Sequence, residues 1–555
     1  MAEKKVDELQ GISALGISDS FNEAVARNPH LAEYLRNIPP DIGQPTFVPA
    51  LDMDMYKLKS INLLYPVGDP IFIHLYQKPD GKRFYQTIEP QLTEKEADLY
   101  KQVETKLVSK AQTREIPEKV QDVKKVVVDL MDECITFKEE KKSSVLDMLK
   151  EKKIFMTPDQ YDKVKYFLLR DRFGYGKIES LLRDPYLEDI HCIGVGRIYV
   201  VHKIFLMLPT NLIFKNDLEL NKYIFQSSER VESPVSEAKP IVDAIMPDGS
   251  RVNFLYGREI SLRGSSFTIR KFTKVPISIT QLIGWKTISP ELAAYLWLSL
   301  ENGMNIFVCG ETAAGKTTTL NAMSVFIKPD AKVFSVEETP EVTMPHPAWQ
   351  HLVTRLANKE SDVTMYDLLR ASLRSRPNYI IVGEIRGAEG HVAFQAMQTG
   401  HPVCSTFHSG SIHQMIQRLT GHPIDVPISF IDNLNSVLIQ RAVYMGGRYV
   451  RRVVSVTEIE RYYDELNKVA TSQVFSWDNT HDKINFRGRN NSYILEEKVA
   501  KSIGYDDPRD IYKELDKRSK ILRGMVDNGI FNYFDVWDVI KNYYEGGEGT
   551  LPFRL

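Results

Sequence analysis

Residues 310–318 carry the clearest chemistry in this sequence. They read G-E-T-A-A-G-K-T-T, which matches the pattern G-x-x-x-x-G-K-T of a phosphate-binding loop. The glycines let backbone N–H groups approach an anion, the lysine can reach the β- and γ-phosphates of a nucleotide, and the next threonine can hold Mg²⁺. The predicted nucleotide-binding residues are Gly310, Glu311, Thr312, Ala313, Ala314, Gly315, Lys316, Thr317 and Thr318.

Acidic residues after two apolar runs supply what a nucleotide hydrolase needs besides a phosphate cradle. Glu384 follows the run 379–382, and the preceding predicted strand ends in V-E-E-T-P-E. A carboxylate at the carboxyl end of a buried parallel strand lies where such sheets build their sites. We therefore expect Glu384 to hold Mg²⁺ together with Thr317, and Glu337 or Glu338 to position water. The alternative for each acid is a solvated surface position.

Histidine and arginine side chains complete the set of candidates. His401 and His408 flank a further apolar run, where an imidazole could sense the γ-phosphate, although a lone histidine is more often structural. Basic residues gather before the loop, and arginine's forked donors suit phosphate, so a second subunit could supply them. An ordinary basic strand edge is the alternative. This basic group comprises Arg251, Arg258, Arg263, Arg270 and Lys271.

Apolar strands that alternate with helical stretches must position these residues. The pattern predicts a parallel α/β sheet, with a helix over 317–326 whose N-terminus attracts phosphate. The predicted strands are 305–309, 332–336, 379–382 and 403–406.

The length of 555 residues predicts two to four domains. The tail from about residue 460 is charged and is expected to be helical. The predicted segments are a flexible or helical extension (1–45), a small α/β-helical subdomain (46–155), an α+β domain (156–275), a linker (276–284) and the α/β catalytic domain with C-terminal helices (285–555).

Composition and charge limit the partners. The net charge of −2 gives no reason to expect nucleic acid, and the four cysteines form no C-x-x-C pair, which is typical of reduced thiols in a cytosolic protein without a cysteine zinc site. The charged start M-A-E-K-K-V-D-E-L-Q predicts no signal peptide, and no apolar run has the length of a membrane span. Any membrane role is therefore expected to act through a partner or a surface.

Taken in order, these motifs resemble those of the ATPases of the type II/type IV secretion superfamily. The phosphate-binding loop is followed by the acidic box E-E-T-P-E, by R-P-N-Y-I-I-V-G-E-I-R-G and by the histidine box Q-T-G-H-P-V-C-S-T-F-H-S-G. The resemblance covers about residues 160–460. It implies that Glu337 activates water, that Glu384 is the Walker B acid and that His408 is the histidine-box residue. The acidic box has Glu338 where aspartate is commoner, which leaves open which glutamate acts.

The resemblance also implies an architecture. A RecA-like P-loop domain follows a smaller α+β, PAS-like domain, and the subunits form a homohexameric ring with ATP between neighbours. Arg251, Arg263 and Arg270 match arginines that the N-terminal domain contributes. Lys274–Pro276 would be the hinge between the domains.

The segment R-D-R-F-G-Y-G-K-I-E-S-L-L-R-D-P-Y-L-E-D-I-H-C-I-G-V-G is similar to archaeal members. The N-terminal block and F-D-V-W-D-V-I-K-N-Y-Y look most like the motor ATPase of the archaellum, the archaeal swimming filament. This implies a MgATP-driven motor at the inner face of the cell membrane, peripherally associated with a polytopic platform protein and accessory motor-ring proteins. Archaeal pilus assembly or protein secretion is the alternative cargo, and a DNA-transport ATPase is the alternative of another class.

Overall fold

The computed structural model describes residues 21–112, 120–138, 153–272, 275–355, 362–446 and 448–555. The chain divides into two compact units, with the boundary between residues 272 and 273. Residues 1–20 of the predicted N-terminal extension and Lys274 of the predicted hinge lie outside the described residues. Within the described residues, no helix combines the length and the apolar character needed to span a bilayer.

The first unit is built on a ten-stranded sheet in the order β1-β2-β3-β4-β9-β8-β7-β12-β11-β10. A smaller pair, β5 and β6, lies apart from it. The strands are β1 (Thr46–Phe47), β2 (Asn62–Pro66), β3 (Phe72–Gln77), β4 (Arg83–Ile88), β5 (Ile135–Thr136), β6 (Ile154–Phe155), β7 (Leu187–Cys192), β8 (Gly196–His202), β9 (Leu206–Phe214), β10 (Ile241–Ile245), β11 (Arg251–Leu255) and β12 (Ser266–Arg270). The helices are α1 (Phe21–Arg27), α2 (Pro29–Arg36), α3 (Glu94–Ala111), α4 (Val120–Cys134), α5 (Pro158–Arg172), α6 (Glu179–Arg183) and α7 (Asp217–Arg230).

One sheet joins segments that the sequence analysis treats as separate domains, 46–155 and 156–275. β4 of the first segment pairs in parallel with β9 of the second. The fully buried carboxylate of Asp184 reinforces the junction, because it accepts hydrogen bonds of 2.7 Å from the hydroxyls of Tyr65 and Tyr85. Pairing between strands more than a hundred residues apart leaves no local signal in the sequence.

The second unit contains a nine-stranded sheet in the order β15-β14-β16-β17-β13-β18-β19-β20-β21. The first six strands in this order, β15 through β18, are parallel to one another. Each of the pairs β18–β19, β19–β20 and β20–β21 is antiparallel. The strands are β13 (Ile306–Gly310), β14 (Val333–Glu337), β15 (Trp349–Val353), β16 (Tyr379–Glu384), β17 (Val403–Phe407), β18 (Ser436–Met445), β19 (Arg448–Tyr463), β20 (Lys468–Asp478) and β21 (Lys483–Phe486).

Helices cover both faces of this sheet and complete an α/β domain. They are α8 (Ile279–Gly284), α9 (Pro290–Glu301), α10 (Lys316–Ser324), α11 (Met365–Leu373), α12 (Glu389–Gln398), α13 (Ile412–Thr420), the π-helix Ile494–Ala500, which continues into α14 (Lys501–Ile503), α15 (Ile511–Asp527) and α16 (Tyr533–Gly546). The four predicted strands are adjacent in the sheet, as β14, β16, β17 and β13. The α/β class with a RecA-like parallel sheet is confirmed.

Two segments differ from the sequence interpretation. Much of the predicted linker 276–284 is helix α8, whose Ile279 and Leu282 are buried in the core of the second unit. Its first turn is closed by a capping box of Ser278 and Gln281. The tail predicted to be helical from residue 460 first forms β20 and β21, because the backbones of these strands pair antiparallel beside β19 and extend the sheet.

Candidate functional site

The phosphate-binding loop leaves β13 and ends at the N-terminus of α10. An alanine Cβ at Gly310 would lie 2.3 Å from the backbone oxygen of Gln440 on β18, so a side chain is excluded there. Gly315 has φ +90°, a left-handed conformation, immediately before the helix. Ala313 is also left-handed, with φ +60°. The backbone conformation and packing therefore require glycine at positions 310 and 315, whether or not a ligand is bound.

Lys316 reaches back over the loop that it follows. Its Nζ donates a hydrogen bond of 3.1 Å to the carbonyl oxygen of Glu311 and lies 3.4 Å from Nδ1 of His408. Burial lowers the pKa of the Lys316 ammonium, against the opposing effect of Glu384. A polyanion bound here would restore the preference for the charged form. The first turn of α10 thus presents a partly desolvated cation to the loop.

His408 links this lysine to the predicted Walker B acid. Its Nε2 lies 2.9 Å from Oε1 of Glu384. Burial is the main cause that lowers the pKa of His408, and the neighbouring cations Lys316 and Arg386 add to it, while Glu384 opposes it. The imidazole thus stands between the ammonium of Lys316 and the carboxylate of Glu384. β13, β16 and β17 are adjacent strands, and their carboxyl ends bring these three side chains together.

Arg386 ties the two acidic motifs together. Its Nη2 donates to Oε2 of Glu384 at 2.6 Å, and its Nη1 lies 3.3 Å from Oε2 of Glu338. The arginine follows the Walker B acid by two residues, in the motif G-E-I-R-G. Sequence reasoning did not single it out, although its place in that motif was the available signal.

A cavity of about 400 Å³ opens beside the loop. Arg418 donates to the carbonyl oxygen of His408, and Arg441 donates to that of Gly410 at 3.0 Å, which fixes the far wall. Sequence reasoning missed both arginines. The lining residues are Gly310, Glu311, Thr312, His408, Ser409, Gly410, Gln414, Gln417 and Arg418.

Glu337, at the end of β14, is buried, with 2% of its surface exposed. Its Oε1 accepts hydrogen bonds from the backbone N–H groups of Glu341 (3.0 Å) and Val342 (2.9 Å). Its Oε2 lies 2.7 Å from Nε2 of His351. Glu338, by contrast, is exposed. The two glutamates that the sequence could not rank are therefore different in kind, one anchored in the sheet and one on the surface.

The remaining candidates lie elsewhere. His401 precedes β17, at the opposite end of the strand from His408, and contacts Thr399. Arg251 and Arg270 are cross-strand partners on β11 and β12 of the first unit, exposed and facing Asp243 (3.9 Å) and Asp189 (3.6 Å) respectively.

Arg263 is exposed in the loop before β12. The phosphate-contact role of these three arginines, Arg251, Arg263 and Arg270, stays a prediction.

The residues at the loop fit Mg²⁺ bound with a nucleotide. Oε1 of Glu384 is buried and makes no hydrogen bond within the described residues, because the approach of His408 does not meet hydrogen-bond geometry. No group of three His, Cys, Asp or Glu residues in the described ranges could hold a metal by itself. Mg²⁺ is commonly held by one or two protein oxygens together with substrate phosphates and water. Thr317 and Glu384 would supply the protein oxygens.

The family model described as "Type II/IV secretion system protein" matches residues 172–478. MJ0900, an uncharacterized protein of Methanocaldococcus jannaschii, is 53% identical over 542 residues, which are 96% of this chain and 98% of that protein. The type IV secretion system protein VirB11 of Brucella suis is 30% identical over 34% of this chain and 60% of its own length.

Among solved structures, the ATPase DotB of Legionella pneumophila is similar at 16% identity with a TM-score of 0.39, over 68% of this chain and 92% of that one.

Proposed function

Because the chain belongs to the Type II/IV secretion system protein family, we propose that it is an ATPase that hydrolyses MgATP to drive a filament machine. The observation that carries this proposal is the convergence of Lys316, His408, Glu384 and Arg386 on one edge of the sheet beside the phosphate-binding loop. Two of these groups are cations that can neutralise phosphate charge, and Glu384 is an acid that can hold Mg²⁺, which phosphoryl transfer requires, while His408 lies between Lys316 and Glu384.

The loop and Lys316 would bind the triphosphate. Backbone N–H groups of the loop and the N-terminus of α10 offer fixed positive dipoles to the phosphates. Lys316 would exchange its hydrogen bond with Glu311 for a phosphate oxygen. Mg²⁺, held by Thr317 and Glu384, would neutralise charge on the phosphates when bound.

Glu337 would orient the attacking water. Its side chain lies at the end of β14, next to Gly383 on β16, the residue that precedes the predicted Walker B acid in the chain. An acid anchored by three hydrogen-bond donors keeps its orientation without spending binding energy during the reaction. Exposed Glu338 would instead hold Arg386 beside Glu384.

His408 would report the state of the γ-phosphate. It contacts Lys316 on one side and Glu384 on the other, so a change in charge at the loop alters both contacts at once. We propose that this relay couples hydrolysis to movement of the N-terminal unit, with Arg251, Arg263 and Arg270 acting in trans within a homohexamer.

The cargo is proposed from the archaeal motifs. The machine would be the archaellum, whose assembly and possibly rotation the motor drives from the cytoplasmic face of the membrane, through a polytopic platform protein and accessory ring proteins. Archaeal pilus assembly or protein secretion is the second candidate. A deletion strain that is immotile yet piliated supports the archaellum, and the reverse phenotype supports the pilus.

Hydrolysis measured against protein concentration tests the shared site. Activity per subunit should rise steeply with concentration, and Arg263→Ala or Arg270→Ala protein mixed with Lys316→Ala protein should regain turnover. Flat activity without complementation refutes the trans arginine. Arg172→Ala, which removes an exposed arginine paired with Glu104 in the same unit, is the matched control. A DNA-transport ATPase would instead bind DNA with a steep salt dependence.

A further inference from the structure

His351 stands beside the proposed water-activating residue, although no motif in the sequence marks it. It lies on β15, the edge strand that runs parallel to β14, and its Cα is paired in register with Ser335. Its Nε2 lies 2.7 Å from Oε2 of Glu337, which is a short contact for a nitrogen donor and a carboxylate. The imidazole is partly exposed, whereas the carboxylate is buried, with 28% and 2% of the side chains accessible.

A count of acceptor sites shows what this contact leaves available. An ionised carboxylate offers about four lone-pair positions, two on each oxygen. Oε1 of Glu337 uses its positions for the N–H groups of Glu341 and Val342. Oε2 uses one position for His351. Among the residues that the structure describes, no other donor reaches Oε2, so one of its lone pairs remains, which suffices to accept a single O–H from a water molecule.

The imidazole is itself held in place. It stacks on the indole of Trp349, with ring centroids 4.9 Å apart and planes 21° from parallel. The indole N–H donates to the hydroxyl of Ser335 on β14 at 2.8 Å. These contacts fix the direction of the imidazole ring plane, and the ring can therefore fix the direction of Oε2.

We propose that His351 is a positioning residue for ATP hydrolysis, which orients the free lone pair of Glu337 toward the attacking water by donating its Nε2–H to Oε2. The proposal rests on the water-activating role proposed for Glu337. His351 itself touches neither nucleotide nor water in this role. Its loss should lower turnover and leave nucleotide affinity unchanged.

Steady-state hydrolysis by paired variants tests this role. His351→Phe keeps a ring against Trp349 but removes the donor, and we expect kcat to fall roughly 10- to 100-fold, with KM and the Kd for Mg·ADP within twofold of wild type. His351→Gln keeps an N–H donor and should restore kcat to within about threefold. His481→Leu, at an exposed histidine in the turn between β20 and β21, is the matched control and should leave kcat unchanged.

The outcomes separate this proposal from the one on which it rests. Wild-type kcat in His351→Phe, together with an inactive Glu337→Gln variant, overturns the role of His351 alone. Full turnover in Glu337→Gln overturns the water role and the positioning role together. If His351→Phe fails to bind Mg·ADP, His351→Asn takes its place. The asparagine side chain is too short to bring its amide to Oε2 of Glu337, so we expect the same loss of kcat.

Discussion

Gly383 on β16 has no side chain at the point where Glu337 of the neighbouring strand needs space. A Cβ built there would lie 2.9 Å from Cγ of Glu337 and 3.4 Å from its Cβ and Oε1. The Glu337 side chain cannot simply swing away, because three donors hold its carboxylate. The substitution Gly383→Ala must therefore move that carboxylate or part the two strands.

The size of the effect follows from the hydrogen bonds at risk. A hydrogen bond to a charged group contributes about 1.5–3 kcal/mol, and we take the loss of one such bond, about 2 kcal/mol. If that loss appears in the transition state, kcat falls about 30-fold. If instead the strands part, the same cost lowers the thermal stability of the second unit while kcat falls less.

Steady-state ATP hydrolysis and thermal unfolding, measured on the same preparation, distinguish the two. Gly284→Ala is the matched control, because among the described residues the nearest atom to its added Cβ is Cε1 of Phe531, at 3.8 Å, an ordinary contact. A Gly383→Ala protein with kcat within twofold of wild type and an unchanged melting temperature would refute the reasoning that Gly383 and Glu337 share a closely packed site.

Three further predictions use other parts of the chain. Lys316→Ala should abolish detectable turnover and weaken the binding of Mg·ATP in an equilibrium titration, because residues 310–318 contain no other cationic side chain. Normal turnover would contradict the assignment of this loop as the nucleotide site. Tyr85→Phe should lower the free energy of unfolding of the first unit by about 1–2 kcal/mol, because Asp184 then loses one of two buried hydroxyl donors, which denaturant titration would measure. Burial raises the pKa of Glu458 above its ordinary value of 4.5, so the folded protein should lose stability as the pH rises from 4.5 through the raised pKa. Glu458→Gln should remove this pH dependence of the melting temperature. The same pH dependence of the melting temperature in both proteins would contradict the prediction.

The phosphate-binding loop and its strands could be predicted because their signals are local. A loop of nine residues that must wrap an anion needs glycine immediately before the helix, at Gly315 with φ +90°, and lysine at the helix start, and both requirements are met within the segment itself. The apolar runs that became β13, β14, β16 and β17 are likewise readable, since a strand buried on both faces is a continuous run of apolar residues. The placement of Glu337 and Glu384 at one edge of the sheet follows from the same geometry, because each ends a parallel strand.

The partners of the candidate catalytic groups were decided only by the tertiary structure. The contact of Glu337 with His351 depends on the order and register of the paired strands β14 and β15. The two strands follow one another in the chain, but no residue pattern between them indicates that they pair. Arg386, Arg418 and Arg441 reach the site from three different elements. The sharing of one sheet by segments 46–155 and 156–275 is also a matter of pairing between distant strands. Residue type and spacing thus determined which chemistry is available, whereas long-range strand pairing decided which side chains hold one another in place.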